Sequence, residues 1–244
     1  MIRPTYAALT IALATLSITA CSAKSISGGS DVPATGSGGE RRFAVSGFDE
    51  VGLSTSADVD IRVGPDFSVV ATGAPAALDK LRVRKSGNTV DLGQERGVSW
   101  SRGDTLHITI TMPRIKGASI GGSGSISVDR VAGDSFDGNI GGSGRLSLAQ
   151  VNVTTASFAV GGSGAIDAAG HARRTEVSIG GSGKVRNSGL VAEDADITIA
   201  GAGDVQVNAT RAASVSLVGS GDVTVTGGAK CKVSKMGSGK VRCG

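Results

Sequence analysis

Ile120-Gly-Gly-Ser-Gly124 returns as Ile140-Gly-Gly-Ser-Gly144, Val160-Gly-Gly-Ser-Gly164 and Ile179-Gly-Gly-Ser-Gly183. It then loosens to Ile199-Ala-Gly-Ala-Gly203, Leu217-Val-Gly-Ser-Gly221 and Lys235-Met-Gly-Ser-Gly239. From one final glycine to the next the steps are 20, 20, 19, 20, 18 and 18 residues. A fixed step near twenty is the mark of a repeat protein whose units cannot fold alone. The residues around each turn say which kind. One parity through the third repeat reads Ala156, Phe158, Val160, Gly162, Gly164, Ile166, Ala168, while the other is mostly polar. Alternation with period two is a strand with one buried face. Glycine and β-branched residues crowd the same segments, which disfavours helix. The fold class predicted is all-β: a parallel β-helix or β-solenoid of about seven coils, with Gly-Ser-Gly corners. At roughly 4.8 Å per coil, the rod is about 34 Å long.

Two inward glycines at each corner let the backbone approach the neighbouring coil without a Cβ in the way. The corner serines, at 123, 143, 163, 182, 220 and 238, form an outward column able to bond to each other or to the turn backbone.

Working outward toward the N-terminus, the segment 41–117 is a less regular β region that continues the same sheets and caps one end. Val59, Ile61 and Val63 alternate with polar residues, as do Leu106, Ile108, Ile110 and Met112 before Pro113. Leu81–Arg84 and Thr89–Leu92 flank Lys85-Ser-Gly-Asn88, a hairpin signal. Ala74–Leu81 is read as one or two helical turns. Residues 118–244 form the regular repeats with a C-terminal cap. The Ser/Gly-rich stretch 21–40 reads as a flexible tether.

Residues 1–20 carry Arg3 and an apolar run over 7–20, which is 14 residues long and so short for a bilayer span. The run ends in Ile18-Thr-Ala-Cys21, which resembles the bacterial lipobox. That resemblance implies cleavage before Cys21 and a lipid on its thiol, with membrane attachment through it. Ser22 in the next position, by resemblance to bacterial sorting signals, implies the outer membrane. An ordinary secretory signal with a chance cysteine is the alternative.

Phe48-Asp-Glu-Val51, Ala57-Asp-Val-Asp-Ile61, Leu106-His-Ile-Thr-Ile110 and the repeated Ile-x-Gly-Ser-Gly corners are together similar to the GIN-domain family of auto-transporter adhesin head domains. The resemblance covers about Phe43–Gly244. It implies a β-helical, secreted or lipid-anchored protein, and it brings no catalytic residues with it.

Cys231-x-Val233 and Val241-x-Cys243 place the two remaining cysteines on the inward parity, at the far ends of the two arms of the last coil. A disulfide there is compatible with an oxidising compartment and would staple that coil. Two free buried thiols and a redox pair are the alternatives. With His107 and His171 the only histidines, a zinc site is disfavoured.

The formal charge is +4, or +3 without Arg3, too small to signal a nucleic-acid partner. Tyr6 lies in the leader, leaving Trp100 and five phenylalanines as the mature aromatics, so the platforms usual in sugar or single-strand recognition are scarce. Calcium-binding nonapeptide repeats need an aspartate where this chain has Ile126, Leu146, Ile166, Val185, Val205, Val223 and Val241. A phosphate loop lacks its Gly-Lys-Ser/Thr ending. Six copies of one serine speak for architecture over nucleophilic catalysis. No cofactor or metal is expected. Arg102-Gly-Asp104 is too short to carry weight.

An outward column follows each corner: Ser125, Arg145, Ala165, Lys184, Asp204, Asp222, Lys240. Asp204 and Asp222 on adjacent coils could form a carboxylate pair of a polysaccharide lyase or hydrolase. The plainer reading is a surface ladder with Lys184 and Lys240. Lys230, Lys232, Lys235, Lys240 and Arg242 make a basic C-terminal cap, either a binding surface or a charged end that stops coils stacking between molecules. The function expected is a lipid-anchored, non-catalytic binding, adhesin-like or structural module of the cell envelope, with an envelope glycan or protein as partner. The glycan-cleaving enzyme is the alternative.

Overall fold

The corner glycines set the fold, because each corner donates its backbone N–H groups to the corner below. In a computed structural model, which describes residues 29–95 and 106–244, Gly161 N–H donates to Ile140 O at 2.8 Å, Ser163 N–H to Gly142 O at 3.1 Å and Ala165 N–H to Gly144 O at 3.0 Å. The ladder thus runs through the turn without a gap, and backbones this close leave no room for a Cβ. One built on Gly164 would lie 2.5 Å from Ile140 Cγ2 and 2.7 Å from Gly144 O.

In chain order, β1 (Ser30–Asp31), β2 (Ala34–Thr35), β3 (Glu40–Phe43), β4 (Glu50–Leu53), β5 (Asp58–Val63) and β6 (Ser68–Gly73) precede one short helix, α1 (Pro75–Leu78). Then come β7 (Leu81–Ser86), β8 (Thr89–Gln94), β9 (Leu106–Met112), β10 (Gly117–Ile120) and β11 (Ser125–Val128). The repeats follow as β12 (Val131–Ile140), β13 (Arg145–Val160), β14 (Ala165–Ile179), β15 (Lys184–Gly201) and β16 (Asp204–Gly219). Last are β17 (Asp222–Thr226), β18 (Lys230–Met236) and β19 (Lys240–Cys243). The result is a parallel β-solenoid of about six turns. Seven corners bound six intervals, and the last coil ends without a return loop, which accounts for the difference from the seven coils expected.

Two inward columns form the core. Before the corner, Leu92, Leu53, Ile120, Ile140, Val160, Ile179, Ile199 and Leu217 stack in register. After it run Ile108, Val59, Ile126, Leu146, Ile166, Val185, Val205 and Val223. All are buried. Phe136 and Phe158 fill the wider middle, rings 6.5 Å apart. Thr175 and Asn187 are polar exceptions in the core, and the Oγ1 of the first and both amide atoms of the second find no protein partner.

The N-terminal region does continue the sheets, but out of chain order. β4 and β5 lie directly against β10 and β11 in parallel. The chain then leaves, forms β8 and β9 on the far side of β4 and β5, and returns. Antiparallel β6, β7 and β3 close this end. The β7–β8 hairpin turns through Gly87 and Asn88, with Gly87 at φ +57°.

Part of the stretch 21–40 read as a tether is folded onto the sheets. β1 pairs with β7 and β2 with β3, and Val32 packs against the core. Two-residue edge strands leave no periodicity for a sequence pattern to reveal.

Asp91 in β8 faces Gly52 in β4, where any Cβ would meet its carboxylate. One carboxylate oxygen is buried without a protein partner. Burial pushes this carboxyl above its ordinary range; Arg84 pulls it back and Glu50 adds to the rise. An acid with a raised native value costs stability when ionised. Stability should therefore climb as pH falls through the raised value and level off below 3.8, the value for an unperturbed side chain. Asp91→Asn should be the more stable protein at pH 7, with its advantage shrinking toward pH 4 in urea titrations. An advantage independent of pH would show that the ionised carboxylate is not the source.

Candidate functional site

The outward column after the corners is continuous. In register it reads His107, Asp58, Ser125, Arg145, Ala165, Lys184, Asp204, Asp222 and Lys240. Asp204 and Asp222 do sit on adjacent coils. Each is already engaged: Asp204 with Lys184 at 3.5 Å, and Asp222 as acceptor from the Lys240 backbone N–H at 2.9 Å. Neither lines the three cavities described below. Beside this column Asp167 bridges Arg145 at 3.1 Å and Arg186 at 3.2 Å, and Arg174 meets Asp196 at 2.6 Å. These side chains are largely exposed, so the ladder contributes little stability for each pair. Of the serine column, Ser220 and Ser238 join hydroxyl to hydroxyl at 3.1 Å.

At the C-terminal end the structure joins Cys231 to Cys243, with Cα atoms 6.6 Å apart. Both cysteines end inward columns: Ala213 lies beneath Cys231 and Val225 beneath Cys243. Lys235 takes the place above Leu217 that isoleucine, valine or leucine holds in every lower coil. Its Nζ donates to Gly239 O at 2.9 Å, so its stem closes over the open core while its charge remains at the rim. Lys235 is therefore part of the end cap. Lys230, Lys232, Lys240 and Arg242 are exposed outward around it, with Met236 at 73% exposure beside them.

Closing a loop of 12 residues should contribute about 3 kcal/mol. Because a solenoid coil touches only its neighbours, the loss on reduction should be local. Cys231→Ser with Cys243→Ser is expected to raise amide exchange in β18 and β19 and to leave β13–β15 protected. Exchange rising equally throughout would refute a local staple.

The leader, Cys21, Trp100 and Arg102-Gly-Asp104 lie outside the described residues.

Sequence reasoning missed a concave site at the N-terminal end. Gly47, Phe48, Asp49, Phe67, Asn88, Pro113 and Arg114 line a cavity of about 330 Å³. Phe67 packs at 49° on buried Phe48, ring centres 5.0 Å apart, which fixes its orientation. Asp49 is 5% exposed, and its Oδ2 lies 3.3 Å from Lys116 Nζ and 3.6 Å from Arg114 Nε. Backbone bonds hold it rigidly: Asp49 N–H donates to Asn88 O at 2.9 Å, and Lys116 N–H to Asp49 O at 2.7 Å. Phe48-Asp-Glu-Val51 had marked the place as part of a resemblance, but four loops far apart in sequence build the cavity, and no spacing rule joins them. Two shallower depressions follow the coil flank. One, of about 260 Å³, surrounds His171 and Glu193; the other, of about 390 Å³, lies over Leu148 and Ala168 beside Asp167. The described residues contain no cluster of three metal-ligating side chains.

Solved structures share this architecture. One described as a putative adhesin from Bacteroides fragilis superposes with a TM-score of 0.78 at 20% identity, over 84% of this chain and 95% of that one. Another, described as a putative lipid binding protein from Parabacteroides distasonis, gives 0.65 at 21% identity over 86% and 98%. A third, described as a putative adhesin from Parabacteroides merdae, gives 0.65 at 15% identity over 84% and 95%. At these identities the likeness is one of fold. No functionally curated protein matches the sequence significantly. The sequence itself matches a family model over residues 47–229, from the loop before β4 through the corner and return of the next-to-last coil, and on that match the chain belongs to the family described as "Putative auto-transporter adhesin, head GIN domain".

Proposed function

We propose that this protein is a lipid-anchored, non-catalytic, adhesin-like binding module of the bacterial outer membrane, taking an envelope glycan or protein as its partner. Residues 1–20 are then removed as a signal, Cys21 carries lipid, and the solenoid is presented on a short leash. From 22 to 29 there are eight residues before β1, which at full stretch reach about 27 Å. The lipobox-like Ile18-Thr-Ala-Cys21 supports the anchor. The observation that carries the non-catalytic part is the state of the best carboxylate pair. Asp204 and Asp222 lie in the outward ladder, each engaged by a neighbour, and neither lines any of the three cavities.

Intact-mass analysis of membrane-extracted protein tests the anchor. A mature mass starting at a lipid-modified Cys21 is expected, with Cys21→Ala released to the soluble fraction. An unmodified mass beginning elsewhere would overturn it. Separately, Asp204→Asn and Asp222→Asn should leave adherence of the protein to bacterial envelopes unchanged. Turnover of any glycan that these variants abolish would reinstate the enzyme.

A further inference from the structure

The aromatic side chains that composition shows to be scarce are used unevenly. Phe43, Phe48, Phe136 and Phe158 are buried, and Phe67 is the one phenylalanine that is not. It lines the cavity together with Asp49 and Arg114. The other two cavities have no phenylalanine, tyrosine or tryptophan in their lining.

The three groups together narrow the chemistry. Arg114 and Lys116 already offset the charge of Asp49, so a cationic ligand would gain little from that carboxylate. An anionic group would be drawn by the positive charge that Arg114 and Lys116 leave over from Asp49, but has no proton to donate to that carboxylate. A neutral ligand uses all three. Its hydroxyls accept from the guanidinium, which is 67% exposed and has donors to spare, and donate to the carboxylate. Its apolar face covers Phe67. A ring with C–H groups on one face and hydroxyls around its edge is a pyranose, and about 330 Å³ is at the small end for a ligand site, suited to a single such ring.

We propose that the cavity between Phe67 and Arg114 is a subsite for one neutral pyranose unit of an envelope glycan, with Phe67 as platform and Asp49 and Arg114 as hydroxyl partners. This deepens the binding-module reading and rests on it.

The test is saturation-transfer NMR on the full mature protein with the methyl glycosides of glucose, galactose, mannose and N-acetylglucosamine, and with methyl glucuronide as the anionic arm. At least one neutral glycoside should receive saturation at its ring C–H protons, with a Kd on the order of 1 mM, as expected for one shallow subsite. Arg114→Gln and Phe67→Leu should each weaken it at least about tenfold. The leucine keeps apolar volume against Phe48, and an unchanged thermal midpoint will confirm folding; Arg114→Gln, on the surface, reads out the site even if Phe67→Leu unfolds. No transfer to any glycoside, preference for the glucuronide, or binding indifferent to Arg114→Gln overturns the subsite. A protein that still adheres to envelopes without binding a glycoside would lose the subsite and keep the module.

Discussion

Gly181→Ala should cost at least about 3 kcal/mol, and Gly180→Ala, one residue earlier in the same corner, should cost almost nothing. A methyl on Gly181 would lie 2.5 Å from Gly162 O and 2.8 Å from Gly161 O. These are backbone atoms of the next coil, tied into the ladder by the Ser182 N–H bond to Gly162 O at 3.1 Å. The corner cannot yield without breaking the bonds on either side. Around Gly180 there is nothing within 4 Å. The chain has made the same substitution itself: the first-glycine place holds Ala200, Val218 and Met236 in the later corners, with Val218 and Met236 exposed at 55% and 73%. Urea unfolding of both variants gives the comparison. Equal losses would mean that both glycines serve chain flexibility, and the close-approach account would be wrong.

Ile199→Asp is expected to abolish folding of the middle of the solenoid, while Thr198→Asp beside it is tolerated. Ile199 is 1% exposed and lies between Ile179 and Leu217 in the inward column. A carboxylate there must be desolvated between Ile179 and Leu217, and the cation of that column, Lys235 beyond Leu217, holds its ammonium on Gly239 O, so the cost is about 4 kcal/mol or more. Each coil depends on its neighbours, so the damage should spread to both sides. Thr198 points outward and is exposed. Soluble, cooperatively unfolding Ile199→Asp would refute the register assigned to this coil.

The regular half of the molecule is legible because its information is local. Glycine spacing and residue parity act within one coil and are repeated, so the stacking of Leu146 on Ile126 and of Val205 on Val185 follows from counting alone. Cys231 and Cys243 share a coil and a parity, and the corner between them folds those positions together. Asp204 over Asp222 also follows from the count; that each is satisfied by a neighbour does not. Counting also placed Lys235 among the basic residues of the C-terminal cap, where it is exposed, but did not show its bond to Gly239 O. Only its place in the last described coil, above Leu217, makes that position suit a long stem and a charged tip.

By itself, then, the sequence determined that this chain is a parallel β-solenoid, where its corners fall, and which face of each strand is buried, since these depend on backbone sterics and period-two burial within about twenty residues. Tertiary structure alone decided the order of the first layers, in which β4 and β5 are held between β8–β9 and β10–β11, and the meeting of Asp49, Phe67 and Arg114 in one cavity. The physical reason is separation along the chain. Those contacts join loops with no repeat between them, and their pairing is chosen by burial of Val51, Leu53, Val59 and Ile61 on both sides at once, a competition among distant strands that no local pattern records.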